Sequence, residues 1–354
     1  MNESFKKDNA AVALDTNNDC HCLKKSNCNV GLLLVNLGTP KSTGINDIKE
    51  YIRSFLSDNR VVELPRFIWQ IILRTIVLRT RPRKLKKLYE KIWMTEGSPL
   101  YVYSKRQALK LERIFLQKNI NIKIKFCMRY GYPNIKESLD SLIFEPCEKI
   151  LLFPLFPQYS SSTTGSIVEY VSRYLICKRD IPEFRYIKRF NSSKFYIDSL
   201  VSNIHNYWNK HGLPDALVVS FHGLPQYSID KGDPYYKDCI ETFELLSNQL
   251  NFDQNIIYIS FQSKFGYSKW IKPYTSETLV NLAKRGVARV DVVCPGFISD
   301  CLETLEEIND QCRHLFLSSG GKDFHYINAL NDNEEWITGL ENLIKTHIYD
   351  WGVV

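Results

Sequence analysis

Leu32-Leu33-Leu34-Val35-Asn36-Leu37-Gly38-Thr39-Pro40 is a continuous apolar run that ends in Gly-x-Pro. Apolar runs of this length without alternation read as strands covered on both faces, the situation of a parallel sheet. Gly permits a tight exit from such a strand and Pro stops it from continuing. The same plan returns at Leu217-Val218-Val219-Ser220-Phe221-His222-Gly223-Leu224-Pro225. The following strands also answer one another, Ile122–Gly131 with Ile256–Lys264 and Ile150–Phe156 with Val290–Phe297. Both members of the last pair carry Pro-x-Phe at their ends.

Between these strands lie helical stretches, Tyr103–Leu116, Ile135–Phe144, Tyr236–Leu250 and Thr278–Lys284. Strand–helix alternation implies right-handed βαβ units. The expected architecture is α/β, with two similar Rossmann-like doubly wound lobes of parallel strands and a cleft between them. The lobes are expected over residues 30–190 and 191–331, after a disordered tail at 1–29. A last helix within 332–348 carries Trp336, Ile337, Leu340, Leu343 and Ile344 as its apolar positions and packs back on the first lobe. In open parallel sheets ligands sit beyond the carboxyl ends of the strands, where the repeated exits fall.

The 354 residues, 44% hydrophobic and 24% charged, are enough for about two domains. A net charge of +7 suits an anionic ligand or a membrane surface, and no nucleic-acid motif accompanies it. The ten cysteines are scattered, several within apolar strands, and read as thiols of a reducing compartment. Cys20, Cys22 and Cys28 cluster in the tail, but their polar flanks argue against a metal clip. Residues 1–28 lack a signal-peptide core, and no apolar stretch reaches membrane-span length, so a cytoplasmic protein is expected.

His222 leaves a buried strand beside a glycine, a placement that suits chemistry better than packing. Asp300, Glu303 and Glu307 fall at i, i+3 and i+7, one face of a helix expected to start near Ser299. A capping box would explain Asp300 and Glu303 but not Glu307. Imidazole plus carboxylates can take up protons or hold Fe²⁺ through N and O ligands. Phe67 to Leu78 is apolar and runs into Arg79, Arg81, Arg83, Lys84, Lys86 and Lys87. This segment, 67–87, suits a membrane interface, the mouth of an apolar pocket for an anionic ligand, or an ordinary packed helix.

Eight motifs occur in one order: Leu37–Pro40, Glu96–Pro99, Met128–Pro133, Phe156–Ser166, Ser220–Pro225, Lys231–Tyr235, Phe261–Gly266 and Phe297–Glu307. In that order the chain, from about Val30 to His347, resembles the ferrochelatases, class II chelatases that insert Fe²⁺ into a porphyrin. The resemblance implies two Rossmann-like lobes flanking a porphyrin cleft, with protoporphyrin IX and Fe²⁺ as substrates and a place inside the cell, peripheral on the inner face of the membrane. It implies that His222 takes pyrrole protons, binds metal, or does both, that Glu303 is the facing acid, and that Asp300 and Glu307 form a proton or metal path. It further places Leu37, Arg81, Lys84, Tyr89, Ser98, Arg129, Ser263, Trp270 and Phe297 around the macrocycle. Some relatives hold an iron–sulfur cluster; here Ser161 stands at the matching Cys and no Cys follows Cys312, so neither that cluster nor any permanent cofactor is expected. Cys301 stands where some relatives have His. Two other readings remain, a chelatase for coproporphyrin or another metal, and a porphyrin carrier without chemistry.

Overall fold

The computed structural model describes residues 29–266 and 268–353. The Cys20, Cys22 and Cys28 cluster, and the tail apart from Asn29, lie outside the described residues.

Among the described residues eight strands form two four-stranded parallel sheets. The first contains β1 (Asn29–Gly38), β2 (Ile122–Tyr130), β3 (Cys147–Pro154) and β4 (Glu183–Tyr186) in the order β2-β1-β3-β4. The second contains β5 (Ala216–His222), β6 (Ile257–Gln262), β7 (Arg289–Val293) and β8 (Asp323–Ile327) in the matching order β6-β5-β7-β8. Every pairing is parallel. The order reverses at β1/β3 and at β5/β7, the switch points where doubly wound sheets leave a crevice for ligands.

The repeat extends to details that the sequence hides. Both Tyr132–Pro133 and Lys272–Pro273 are cis, and the two prolines accept from Met128 and Phe261, on the equivalent strands β2 and β6.

Alternation of burial explains the layers. Val30, Leu32 and Leu34 join Leu217, Val219 and Phe221 in one core, to which the helices Pro99–Gln117, Lys194–His211 and Glu334–Ile348 contribute. Leu33 and Val35 face a second core, and Ala216 and Val218 a third. Each fully buried Val, Leu or Phe contributes about 1.5–3 kcal/mol, so the shared layer ties the lobes together strongly. The terminal helix packs against Lys194–His211 and Pro99–Gln117.

Between β1 and β2 the chain builds a cap, from helix Ile45–Leu56 and the helical run that begins at Arg66 and ends with Leu78–Ile92. Its core of Ile48, Ile52, Leu73, Leu78 and Tyr89 packs against Leu302 of the second lobe. The cap therefore reaches the segment that carries the acid row.

That segment corrects an expectation. No α-helix starts at Ser299; Glu303–Cys312 is a π-helix, and Asp300 lies before it. The capping box is not formed, because the Asp300 N–H bonds Asn331 Oδ1 and the Cys301 N–H bonds Thr304 Oγ1. Hydrogen bonding of i→i+5 type widens each turn, so the α-helical spacing rule does not carry Asp300 onto the face of Glu303 and Glu307.

Candidate active site

His222 is the last residue of β5, half-buried at the second switch point. Its Nδ1 lies 2.6 Å from the Gly223 carbonyl oxygen. A carbonyl only accepts, so Nδ1 carries the proton and neutral His222 has its lone pair on Nε2. The Gly223 N–H bonds the Gln262 carbonyl, and a Cβ there would stand 2.7 Å from that oxygen and 3.1 Å from the Trp270 ring. The chain can turn out of β5 beneath Trp270 only because residue 223 has no side chain. Trp270 Nε1 is buried without a hydrogen-bond partner, and the Phe297 ring stands 6.3 Å from the His222 ring.

Beside His222 in the sheet register is Gln262. Its amide Nε2 donates to the Glu303 carbonyl at 2.9 Å, while its Oε1 accepts from Ser220 and Cys294. Ser263 follows in a left-handed conformation, φ 64°, and gives Glu307 both its N–H at 2.7 Å and its hydroxyl. The last residue of β6 and the one after it thus hold the π-helix against the histidine strand. The sequence reading named Ser263 but missed Gln262, whose signal was its place opposite His222 in the paired strand exits.

Burial raises the Glu307 pKa above the ordinary carboxylate value; Ser263 and the charge of His222 oppose the rise, and Glu303 adds to it. Burial thus favours the protonated form of Glu307 more than an ordinary exposed carboxyl would. Since the folded protein keeps a proton that the unfolded chain releases, stability falls as pH rises through the window between the ordinary and the raised pKa. Glu307→Gln is expected to remove this slope. Its melting temperature should exceed that of the parent at pH 7 and converge with it at pH 4. Thermal unfolding at both pH values checks this, and an equal difference at the two would contradict it.

Asp300 is apart from this pair. It is 2% exposed, and its carboxylate accepts from Thr304, Tyr326 and Asn331. Tyr89 is buried in the cap, where burial first, then Glu303 and Cys301, push its phenol pKa up. Arg81, on the same helix, stacks 3.9 Å over Phe265 of the second lobe, and burial lowers its pKa. Lys84 is exposed one turn further on. Leu37, whose N–H bonds Asn36 Oδ1, is the residue before the last of β1; His222 is the last of β5.

Two residues serve other partners. The Arg129 guanidinium bonds Asp58 at 2.7 Å and Ser166 at 2.8 Å, and lies against Tyr130 and Tyr170. Ser98 caps the helix Pro99–Gln117 by accepting from the Tyr101 N–H. Among the described residues no three His, Cys, Asp or Glu side chains converge as a metal-holding group.

A histidine with carboxyl groups close by, at the switch point of one of two matched lobes, marks a two-lobed α/β protein whose candidate site offers N and O donors. The fold resembles that of SirB from Bacillus subtilis with Fe³⁺, with a TM-score of 0.55 at 13% identity over 92% of this chain and 98% of that one. Residues 29–348 match the family described as Ferrochelatase. The ferrochelatase of Bordetella pertussis (strain Tohama I) is 47% identical over 322 residues, 91% of this chain and 89% of the relative. That of Azoarcus sp. (strain BH72) is 44% identical over 326 residues, 92% and 90% of the two chains. The chain belongs to the ferrochelatase family.

Proposed function

We propose that this enzyme inserts Fe²⁺ into protoporphyrin IX with release of two protons, that His222 Nε2 accepts the pyrrole protons, and that Glu307 and Glu303 carry them away. The observation that supports this most is the pairing of a tautomer-fixed His222 with Glu307, whose proton affinity burial has raised. A buried carboxyl that favours its protonated form can take up a proton handed on from the base beside it. Iron is a substrate. His222 and Glu303 offer it N and O donors that bind without trapping, as thiolates would.

Leu37, Trp270 and Phe297 supply apolar and aromatic surface to a macrocycle, with Ser263 beside them. Binding along that surface can be spent on bending the ring so that its nitrogens face the base. Arg81 and Lys84 suit the propionates at the mouth, since guanidinium and ammonium both bind carboxylate. Tyr89 lines the acid side from the cap. Ser98 and Arg129 would act on the ring through the helix and the ion pair they hold.

No helix of the described residues is long and apolar enough to cross a membrane. The run from Arg66 exposes Phe67 (79%), Ile68 (56%), Ile71 (49%) and Ile76 (57%) beside Arg74, Arg79, Arg83 and Lys87. An apolar patch rimmed by cations suits the inner, anionic face of a membrane, from which an apolar porphyrin would enter. Phe67→Ser/Ile71→Ser is expected to reduce co-sedimentation with anionic vesicles and to lower the rate with protoporphyrin relative to coproporphyrin. Unchanged binding and an unchanged rate ratio would rule out this role for 67–87.

A further inference from the structure

Asn331 lies just beyond β8, within 9% of full burial, at φ 49°, a left-handed conformation that Asn tolerates better than most residues. Each polar group of this residue is used. Its N–H bonds the Ile298 carbonyl and its carbonyl accepts from Gln107 of the first lobe. Its Oδ1 takes the Asp300 N–H at 2.8 Å, and its Nδ2 donates to the Asp300 carboxylate at 2.6 Å. Asp300 in turn accepts from Thr304 at 3.0 Å and from Tyr326 at 2.7 Å. Thr304 lies in the π-helix between Glu303 and Glu307. Gln107 also reaches Ser299, so the clamp is fixed to both lobes.

We infer that Asn331 is a positioning residue for the acid row: through Asp300 and Thr304 it sets the start and rotation of the π-helix that presents Glu303 and Glu307 to His222. This rests on the reading of those acids given above. The bonds are buried, and the Asn331–Asp300 link is two-pronged, so the chain transmits geometry and does not merely fill space. Asp300 then belongs to the support and holds its carboxylate away from the proton path. Supports of this kind, one shell behind the reacting groups, typically matter by roughly 10–100-fold in activity.

Asn331→Gly separates the clamp from the backbone, because glycine adopts the left-handed conformation freely. Hydrogen exchange of the free protein, without porphyrin or iron, should show the Glu303–Ile308 amides opening roughly tenfold faster, with the two sheets unchanged. In the metallation assay kcat should fall roughly 10–100-fold while the KM for porphyrin stays nearly constant. Asn331→Asp, which sets a like charge against Asp300, should be the more damaged of the two. Exchange at those amides equal to that of the parent, or faster exchange spread evenly over the whole chain, would overturn the inference. Should Asn331→Gly fail to fold, Thr304→Val cuts the same tie from the other side. Faster exchange confined to the π-helix supports the inference there, and no change overturns it. Because exchange needs no turnover, a parent protein that inserted no iron would sink the catalytic reading and leave this one to be decided by the amides.

Discussion

Alanine at position 222 is expected to lower the rate of iron insertion by roughly 10²–10⁴-fold, the range for loss of a positioned general base, and to leave porphyrin affinity nearly unchanged. The separation follows from geometry. Only Nε2 of His222 is left to face a ligand, Nδ1 being held by the Gly223 carbonyl. The surfaces that would bind a ring belong to Trp270, Phe297 and Leu37, none of which depends on the imidazole for its position. Loss in kcat with KM retained is what removal of a transition-state interaction gives. Single-turnover metallation and fluorescence titration of bound porphyrin separate the two quantities. A variant that keeps most of the parental rate would remove His222 from the chemistry.

Gly38→Ala is expected to be the most destabilising single methyl addition near the site. A Cβ there would stand 1.7 Å from the Tyr130 carbonyl oxygen and 2.6 Å from its carbon, with φ at 131°. Neither atom can move aside, because both are backbone of β2, paired in register with β1. The strands must part, or the turn after Leu37 must be rebuilt. Either outcome belongs among the rare losses above about 4 kcal/mol, a fall in melting temperature on the order of 10 °C. Gly223 is the matching exit on β5, where the closest approach is 2.7 Å. Gly223→Ala should cost less stability but displace His222, so its activity should fall further than its melting temperature suggests. Thermal unfolding and metallation of both variants test the pair. A Gly38→Ala protein that melts with the parent would refute the close-packed exit.

The frame was legible because the central strands carry their reading on both faces. Leu32 to Leu37 and Leu217 to His222 are apolar without alternation, and their Gly-x-Pro exits mark where the ligand crevice falls. Two of the four edge strands, β4 and β8, were not legible. Glu183-Phe184-Arg185-Tyr186 and Asp323-Phe324-His325-Tyr326 alternate polar with apolar residues, since one side of an edge strand meets solvent. The helix Lys194–His211 was also passed over, its apolar positions being spread among polar ones.

At the candidate site, the strand-end placement of His222 and the spacing of Glu303 and Glu307 are readable from the sequence. What could not be found depends on long-range bonds. Residues 262 and 263 bond the π-helix Glu303–Cys312 and residue 331 bonds Asp300 just before it, partners that spacing within 300–307 does not reveal. Arg129 carries a charge suited to propionates, yet Asp58, far away in sequence, holds its guanidinium.

The central claim is that His222 and the acids beside it carry out metallation. It is tested most directly by following the Soret and visible bands of protoporphyrin bound to the purified protein under anaerobic Fe²⁺, with a pH indicator in weak buffer. The account predicts conversion of the free-base spectrum to that of haem far above the uncatalysed rate, with two protons released per ring and both signals lost together in His222→Ala. Porphyrin that binds tightly but keeps its free-base spectrum, with no proton release, would contradict it and leave a protein that carries the ring without changing it.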